Sequence, residues 1–174
     1  IEEEATAFVD AEKGVESVQD AIDGAKDILA EVYADDADYR TKLRAMTKES
    51  GSLVAKAKDE EADSVYEMYY DFSEPIKKLV GHRILAINRG EAEKFLTVKI
   101  EAPRQEILLW LVKQIIGNMK HDSASYLYEA ITDSYDRLIA PSIEREIRNE
   151  LTEKAEEGAI GVFGKNLHQL LMQP

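Results

Sequence analysis

The chain has 174 residues, which is enough for one domain with a sizeable hydrophobic core or for two small lobes. Hydrophobic residues make up 44% and charged residues 33% of the sequence, a balance typical of helix-rich globular proteins and unlike that of disordered chains. Cysteine is absent, which excludes disulfides, thiolate metal sites and a cysteine nucleophile and permits a reducing compartment; we expect a cytoplasmic protein. The longest purely apolar run, residues 107–112, is far shorter than the ~20 residues of a membrane-spanning helix, so no membrane association is expected.

The net charge of −13 is unevenly distributed along the chain. Residues 1–36 hold 12 acidic residues and two lysines, whereas residues 37–174 hold 23 acidic and 20 basic residues. An acidic surface repels nucleic-acid phosphates at long range. The isolated chain is therefore expected to bind nucleic acid poorly unless the cations of the second part cluster, and a solvated helix face is the plainest interpretation of the acidic run.

The first elements along the chain are predicted to be two helices and a strand. Apolar side chains recur at three- and four-residue steps over residues 18–32, which predicts an amphipathic helix of about four turns. Asp35 or Asp36 can cap a second helix, which ends at Gly51. Residues 52–57 alternate between polar and apolar side chains and favour a short strand.

The middle of the chain combines aromatic, turn and strand signals. Residues 65–72 are rich in aromatic side chains and predict a short buried helix, and the Ser-Glu-Pro sequence at 73–75 is typical of a helix start. A helix is predicted over residues 82–88. Residues 95–101 contain the best strand pattern in the chain. We expect this strand to pair with residues 52–57 in one small two-stranded antiparallel sheet, which needs helices packed on it for stability.

The remaining elements are predicted to be helical. Pro103 begins a helix, residues 126–140 form another, and Pro141 breaks or kinks the chain. Apolar residues over 143–170 then form one stripe of about eight helical turns. Together these patterns predict a mainly α fold, a multi-helical bundle with a long C-terminal helix.

Domain organisation is predicted from the same patterns. Residues 1–103 are expected to form a helical lobe that contains the small sheet, and residues 104–174 a helical segment that ends in the long helix. The chain begins with Ile1 rather than Met and ends with large apolar residues in a helical pattern. We therefore expect an internal piece of a longer protein, whose long helix leads to a downstream domain.

Chemical motifs are absent from the sequence. The chain has three histidines that are isolated from one another: His82, His121 and His168. None belongs to a Glu-x-x-His or His-Glu-x-x-His metal motif, and neither a phosphate-binding loop nor a Gly-x-Ser-x-Gly nucleophile turn occurs. Catalytic residues, metal sites and cofactors are thus predicted to be none, and the chain is not expected to be an enzyme.

Two further patterns have ordinary structural explanations. Gly158, Gly161 and Gly164 follow one another at three-residue steps, which favours close helix packing or a bendable helix. Charged residues of opposite sign alternate after residue 143, and the i,i+4 pairs predicted from their spacing are Glu144–Arg148 and Glu150–Lys154.

One basic concentration is a candidate contact site for nucleic acid or a protein partner. Its members lie within thirteen residues of one another and are Lys77, Lys78, His82, Arg83 and Arg89. Helix-end and inter-helix ion pairing is the alternative explanation of these cations.

Long stretches of the chain resemble the bacterial Tex family of RNA-binding transcription accessory proteins. The segments that carry the resemblance are FVDAEKGV at 8–15, GAKDILAE at 24–31, SEP at 73–75, GHRILAINRGE at 81–91 and PSIEREIR at 141–148. Their order and spacing agree over essentially the whole chain. The chain departs from the family pattern in two places: glycine replaces the expected serine at Gly81, and glycine replaces bulkier residues at Gly161 and Gly164.

The resemblance implies that the chain is the central helical region of a multidomain protein. In this family a YqgF-type RNase-H-like domain, helix-hairpin-helix elements and a C-terminal OB-fold RNA-binding domain follow that region. RNA or DNA would then be bound through other domains of the full-length protein, and a protein of the transcription machinery is a candidate partner. No small-molecule substrate is expected.

Three functional hypotheses follow. The first is a non-catalytic helical scaffold that positions nucleic-acid-binding domains located elsewhere in the full chain. The second is direct contact with nucleic acid or protein through the basic residues around Lys77 and Arg83. The third is a carboxylate-based hydrolase, which the sequence disfavours because its acidic residues have only the spacing of surface salt bridges.

Overall fold

The structure, a computed structural model, describes residues 17–117 and 123–173. Its helices are α1 (Val18–Asp35), α2 (Ala37–Ser50), α3 (Gly81–Ala92), α4 (Arg104–Ile115), α5 (Ala124–Asp133) and α6 (Ala140–Met172). Its strands are β1 (Ser52–Ala57), β2 (Asp71–Pro75) and β3 (Leu96–Glu101). The prediction of a mainly helical fold with a small sheet and a long C-terminal helix is confirmed.

The chain divides into two compact units. One unit is drawn from Ile1–Arg44 and Arg104–Ile143, and the other from Ala45–Pro103 and Glu144–Pro174. The division expected from the sequence, 1–103 and 104–174, lies at one of the points where the chain passes between units. Each unit nevertheless combines an early and a late segment, because local sequence patterns do not show which late helix returns to which early one.

In the first unit, α1 packs against α5 and the helical turn that follows α5. Ser17 caps α1 by accepting a 3.1 Å hydrogen bond from the backbone N–H of Asp20. The buried Ser134 hydroxyl donates a 2.6 Å hydrogen bond to the backbone carbonyl of Ala30, and the Tyr126 hydroxyl donates to that of Ile22. These bonds fix the pairing of the two helices.

The junction between α1 and α2 confirms the predicted cap. The backbone N–H of Tyr39 donates a 2.9 Å hydrogen bond to Asp36 Oδ1. The ring of Tyr39 meets the single tryptophan, Trp110 of α4, edge to face at a centroid distance of 5.7 Å. Leu43 of α2 is fully buried.

The second unit contains a three-stranded antiparallel sheet in the order β2-β1-β3. The predicted pairing of β1 with β3 is confirmed, with Leu53 opposite Ile100. The predicted helices at 65–72 and from 73 onward are wrong: Glu67–Tyr69 and Ile76–Lys78 form only single 3₁₀ turns, and Asp71–Pro75 pairs with β1 as an edge strand. An edge strand tolerates proline because its outward side needs no donor, so the Ser-Glu-Pro sequence fits a strand end as well as a helix start.

Helix α3 covers one face of this sheet. The core cluster beneath it consists of Leu53, Ala55, Tyr66, Tyr69, Ile87, Leu96 and Val98. A Cβ atom on Gly90 would lie 2.6 Å from Leu96 Cδ1, so glycine is what allows α3 to approach β3 this closely. The packed helix gives the small sheet the support that it needs.

The predicted break at Pro141 does not occur, because the helix continues from residue 124 to residue 172. Proline lacks the N–H that would bond four residues back, and its ring clashes with the carbonyl there. The residue four positions before Pro141 lies within a π-helical stretch, Ser134–Ile139, whose wider turn accommodates the proline. The helix is therefore locally rewound rather than broken.

The long apolar stripe of α6 is only partly buried. Ile143, Ile147 and Ala155 are buried, whereas every described residue from 156 onward is exposed. Within the ranges 17–117 and 123–173, no atom lies within 4 Å of a Cβ built on Gly158, Gly161 or Gly164, apart from the helix's own adjacent backbone. The close packing expected for these glycines is thus not present in the described part of the chain, and the bendable-helix interpretation stays open.

Candidate contact surface around helix α3

The candidate basic residues occupy the start and the end of α3. Lys77 and Lys78 belong to the 3₁₀ turn Ile76–Lys78 that follows β2. His82 and Arg83 form the first turn of α3, and Arg89 lies in its last turn. All five side chains are exposed.

The first four of these residues lie in the first turn of α3 and in the 3₁₀ turn before it, whereas Arg89 lies in the last turn of the helix. Arg89 lies six positions after Arg83, which corresponds to about 9 Å along the helix axis and roughly 120° around it. Arg89 lies near the buried Tyr66, whose hydrogen bond to Glu93 raises the pKa of the phenol, while the positive charge of Arg89 acts in the opposite direction. Arg89 therefore faces a different environment from the other cations.

Two of the four residues near the start of α3 form ion pairs within the unit. Lys77 Nζ lies 2.7 Å from Glu49 Oε1, and this hydrogen bond lowers the pKa of the Glu49 carboxyl. Arg83 Nη1 lies 3.1 Å from Glu74 Oε2, and the guanidinium lies 6.0 Å from the centre of the Phe72 ring. The ion-pairing explanation of these two residues thus has direct support, and their charge is partly compensated.

His82 lines a groove of about 590 Å³ beside α6. The other lining residues are Gly81, Leu85, Lys154, Ala155, Gly158, Ala159, Val162, Phe163 and Asn166. A Cβ atom on Gly81 would lie 3.2 Å from Ala155 Cα, so the glycine found in place of the expected serine lets α3 and α6 come close at one end of this groove. The lining offers no pair of acidic and basic groups suited to proton transfer.

A polar network joins α3 to α6 at the other end of α3. Arg148 donates two 2.8 Å hydrogen bonds to the carboxylate of Glu91 and one of 3.0 Å to Asn88 Oδ1. The Asn88 amide donates to the Thr152 hydroxyl at 2.9 Å, and that hydroxyl donates to the backbone carbonyl of Arg148. The network is not predictable from the sequence, because the residues of α3 and α6 that form it are separated by about sixty positions and carry no local motif.

The network also replaces one predicted ion pair. Arg148 contacts Glu91 rather than Glu144, and Glu144 instead accepts a 3.1 Å hydrogen bond from the backbone N–H of Ile100 in β3. The predicted pair of Glu150 and Lys154 is confirmed at 3.4 Å. A tertiary partner with bidentate geometry is preferred over the local i,i+4 partner because it satisfies both carboxylate oxygens.

Within residues 17–117 and 123–173, no group of three histidine or carboxylate side chains converges in a way that could hold a metal ion. His168 is exposed on α6, and His121 lies outside the described residues. No described helix combines the length and the apolar character needed to span a membrane.

Comparison with known proteins extends the sequence resemblance. Residues 1–163 match the family described as Tex central region-like. The chain belongs to this family. It is 47% identical to the Bacillus subtilis protein YdcI, over 98% of this chain and 24% of that protein. It is 34% identical to the human S1 RNA-binding domain-containing protein 1, over 92% of this chain and 18% of that protein, and 30% identical to the Bordetella pertussis protein Tex, over 97% and 23%.

The family match confirms the resemblance seen in the segments around residues 8–31, 73–91 and 141–148. The chain spans about a quarter or less of the length of these relatives. In these relatives, the region shared with this chain is one part of a longer polypeptide. The activities of the whole relatives therefore involve residues outside the shared region.

Proposed function

We propose that this chain is a non-catalytic helical scaffold segment of a Tex-like transcription accessory protein. Its role is to position nucleic-acid-binding domains located elsewhere in the full-length polypeptide. The observation that carries the proposal is the exposed apolar stripe at the end of α6, whose members Ile160, Phe163, Leu170 and Leu171 are 67–74% exposed. An exposed apolar surface of this kind is typical of a site where another protein domain packs.

The family match gives the scaffold its context. Relatives are named as Tex proteins and as an S1 RNA-binding domain-containing protein, which supports RNA or DNA as the ligand of the full-length protein through its other domains. A protein of the transcription machinery is the second proposed partner. The proposal assigns this segment no catalytic residue, cofactor, small-molecule substrate or membrane contact, and it places the protein in the cytoplasm.

The first test measures binding of ~20-nucleotide RNA and DNA to the 174-residue chain and to the full-length protein by electrophoretic mobility shift. At ~150 mM salt the full-length protein should bind, and the isolated chain, with its net charge of −13, should not bind at submicromolar concentration. Submicromolar binding by the isolated chain would show that it acts directly and would contradict a purely positioning role.

The second test concerns the stripe itself. Replacing Phe163 and Leu167 by serine in the full-length protein should loosen the neighbouring domains and increase protease cleavage between them. Replacing the exposed Lys165 of the same helix by serine is the matched control and should leave the cleavage pattern unchanged. Identical cleavage patterns in both variants and the parent would exclude packing on this stripe.

Direct contact through the α3 cations is the second candidate function. It is favoured by the exposure of all five side chains, Lys77, Lys78, His82, Arg83 and Arg89. Replacing the four lysines and arginines by alanine in the full-length protein should then make the dependence of log affinity on log salt less steep, since each phosphate that a cation neutralises contributes about one to that slope. The control replaces four exposed lysines elsewhere, Lys42, Lys58, Lys113 and Lys165; equal slopes in both variants would remove this alternative.

A further inference from the structure

Helix α1 presents an apolar row on the side opposite its buried side. Ile22, Ala30 and Ala34 are buried. Ile28 and Val32 lie two i,i+4 rows away from these residues around the helix, and their side chains are 64% and 58% exposed. The sequence pattern assigned all the apolar residues of α1 to a single stripe, but the structure buries one side and leaves Ile28 and Val32 outward.

An acidic row runs beside this apolar row. Its members follow one another at i,i+4 spacing, are all exposed, and are Asp23, Asp27, Glu31 and Asp35. We name the apolar row and the acidic row together the α1 outer face. A positive neighbour of the row is Arg137, 3.9 Å from Asp27, and that guanidinium is already held by three hydrogen bonds of 2.9–3.3 Å to Asp133. Arg137 also attracts Asp27 and Glu31, so the row is compensated in part, and its four carboxylates stay exposed.

Lys26, the only lysine of α1, offsets the acidic row only at one end, where it attracts Asp23. It projects from the row that contains the buried Ile22 and Ala30, where its ammonium pairs with Glu129 and lies 5.1 Å from the centre of the Tyr126 ring. Its hydrogen bond to Glu129 raises the pKa of the ammonium group. The single cation of the helix is thus committed to the packing of the first unit.

We propose that the α1 outer face is a docking surface for a basic amphipathic helix of a separate protein. The partner's apolar side chains would cover Ile28 and Val32, and its lysine or arginine residues, also spaced at i,i+4, would lie opposite the acidic row. Two helices match here because both repeat these rows once per turn of about 5.4 Å.

Charge complementarity favours a basic helix over nucleic acid, a second copy of this chain and an anionic membrane. Nucleic acid carries negative phosphates, and a second copy of α1 carries the same carboxylates, so both are repelled by the face. An anionic membrane surface is repelled for the same reason. The inference is independent of the scaffold proposal, which depends on the end of α6 rather than on α1.

The experiment measures binding of the 174-residue chain to a labelled synthetic helix by fluorescence anisotropy. The probe is a peptide of about 18 residues, long enough for a stable helix, with leucine at i,i+4 positions and lysine on the adjoining row. We expect a micromolar dissociation constant at low salt and roughly tenfold weaker binding when the salt is raised fivefold. A peptide of the same composition in scrambled order should bind at least about tenfold more weakly, because it cannot present both rows together.

Two variants locate the site. The double substitution Asp27→Lys with Glu31→Lys should weaken binding more than about tenfold, and Ile28→Ser with Val32→Ser should weaken it by a similar factor. All four positions are exposed, so the helix should remain folded, which circular dichroism verifies. The matched control, Glu156→Lys with Glu157→Lys on the exposed part of α6, makes the same charge change elsewhere and should bind as the parent does.

The opposite results are equally clear. Equal weakening in the α6 control would show that the peptide responds only to net charge, and equal binding of the scrambled peptide would exclude the helix-on-helix geometry. Direct binding of labelled ~20-nucleotide RNA to the chain that is lost with Ile28→Ser and Val32→Ser would assign the face to nucleic acid. Concentration-dependent dimers in sedimentation that disappear with Ile28→Ser would assign it to a second copy, and each of these outcomes would overturn the proposal.

Discussion

Replacing Arg148 by alanine tests the polar network that joins α3 to α6. The substitution removes two charge-assisted hydrogen bonds to Glu91 and one to Asn88, and it leaves the Glu91 carboxylate without its cation. Such bonds contribute roughly 1.5–3 kcal/mol at buried sites and about 0–1 kcal/mol at exposed ones. The side chain of Arg148 is 20% exposed and that of Glu91 38%, so we expect an intermediate loss of about 2 kcal/mol in the free energy of unfolding.

The assay is urea unfolding followed by far-ultraviolet circular dichroism, with the m-value checked for constancy. Arg145→Ala is the matched control, because Arg145 is an exposed arginine on the same helix one turn earlier and should lose less than about 0.5 kcal/mol. The double mutant with Glu91→Ala should show a coupling energy of about 1 kcal/mol between the two side chains.

Equal destabilisation by Arg148→Ala and Arg145→Ala would refute the reasoning, since both would then report only the removal of an arginine from a helix surface. A coupling energy of zero between Arg148 and Glu91 would show that the ion pair contributes no net stability in solution. The destabilisation by Arg148→Ala would in that case come from packing of the arginine stem.

Three further predictions use the same unfolding assay. Gly90→Ala should destabilise the chain by about 1–3 kcal/mol because the new methyl group overlaps the buried core, whereas Gly158→Ala should stabilise it by up to about 1 kcal/mol because it adds helix propensity in open space; equal signs would contradict this. Ser134→Ala should cost about 1 kcal/mol, since removal of the buried hydroxyl removes its bond to the α1 backbone, and an unchanged midpoint would show that the bond contributes nothing. Hydrogen bonds from lysines lower the pKa of the Glu49 and Asp71 carboxyls. The stability that these bonds contribute is therefore present above the unfolded pKa of about 4 and is lost as the pH falls through the folded pKa, so the urea midpoint should decrease below pH ~4. Ordinary pKa values for the two carboxyls in a titration followed by nuclear magnetic resonance would contradict this cause.

The sequence predicts most helices and one strand pair because their signals are local. The periodicity of α1 and the alternation in β1 are contained within single elements, and Asp36 caps α2 from an adjacent position. Strand β2 was not predicted, because the Ser-Glu-Pro sequence is compatible with both a helix start and a strand end. Pairing with β1 decides between the two. The continuation of the helix past Pro141 likewise depends on a π turn that no local propensity indicates.

In the candidate sites, too, local features could be predicted and contacts between elements could not. The cations of α3 could be found from the sequence, but their pairing with Glu49 and Glu74 depends on contacts between different elements. The outward direction of Ile28 and Val32 was not predictable, because helical periodicity identifies an apolar stripe and tertiary packing decides how much of that stripe is covered. The family resemblance, by contrast, rests on residue order alone and was confirmed by the match over residues 1–163.

The edge-on contact between Trp110 and Tyr39 has a practical consequence for spectroscopy. Because the chain has one tryptophan and that residue belongs to the first unit, indole emission reports the melting of this unit alone. Circular dichroism averages over both units. Superimposed denaturation curves from the two signals would indicate one cooperative transition, whereas separated midpoints would assign a stability to each unit without cutting the polypeptide.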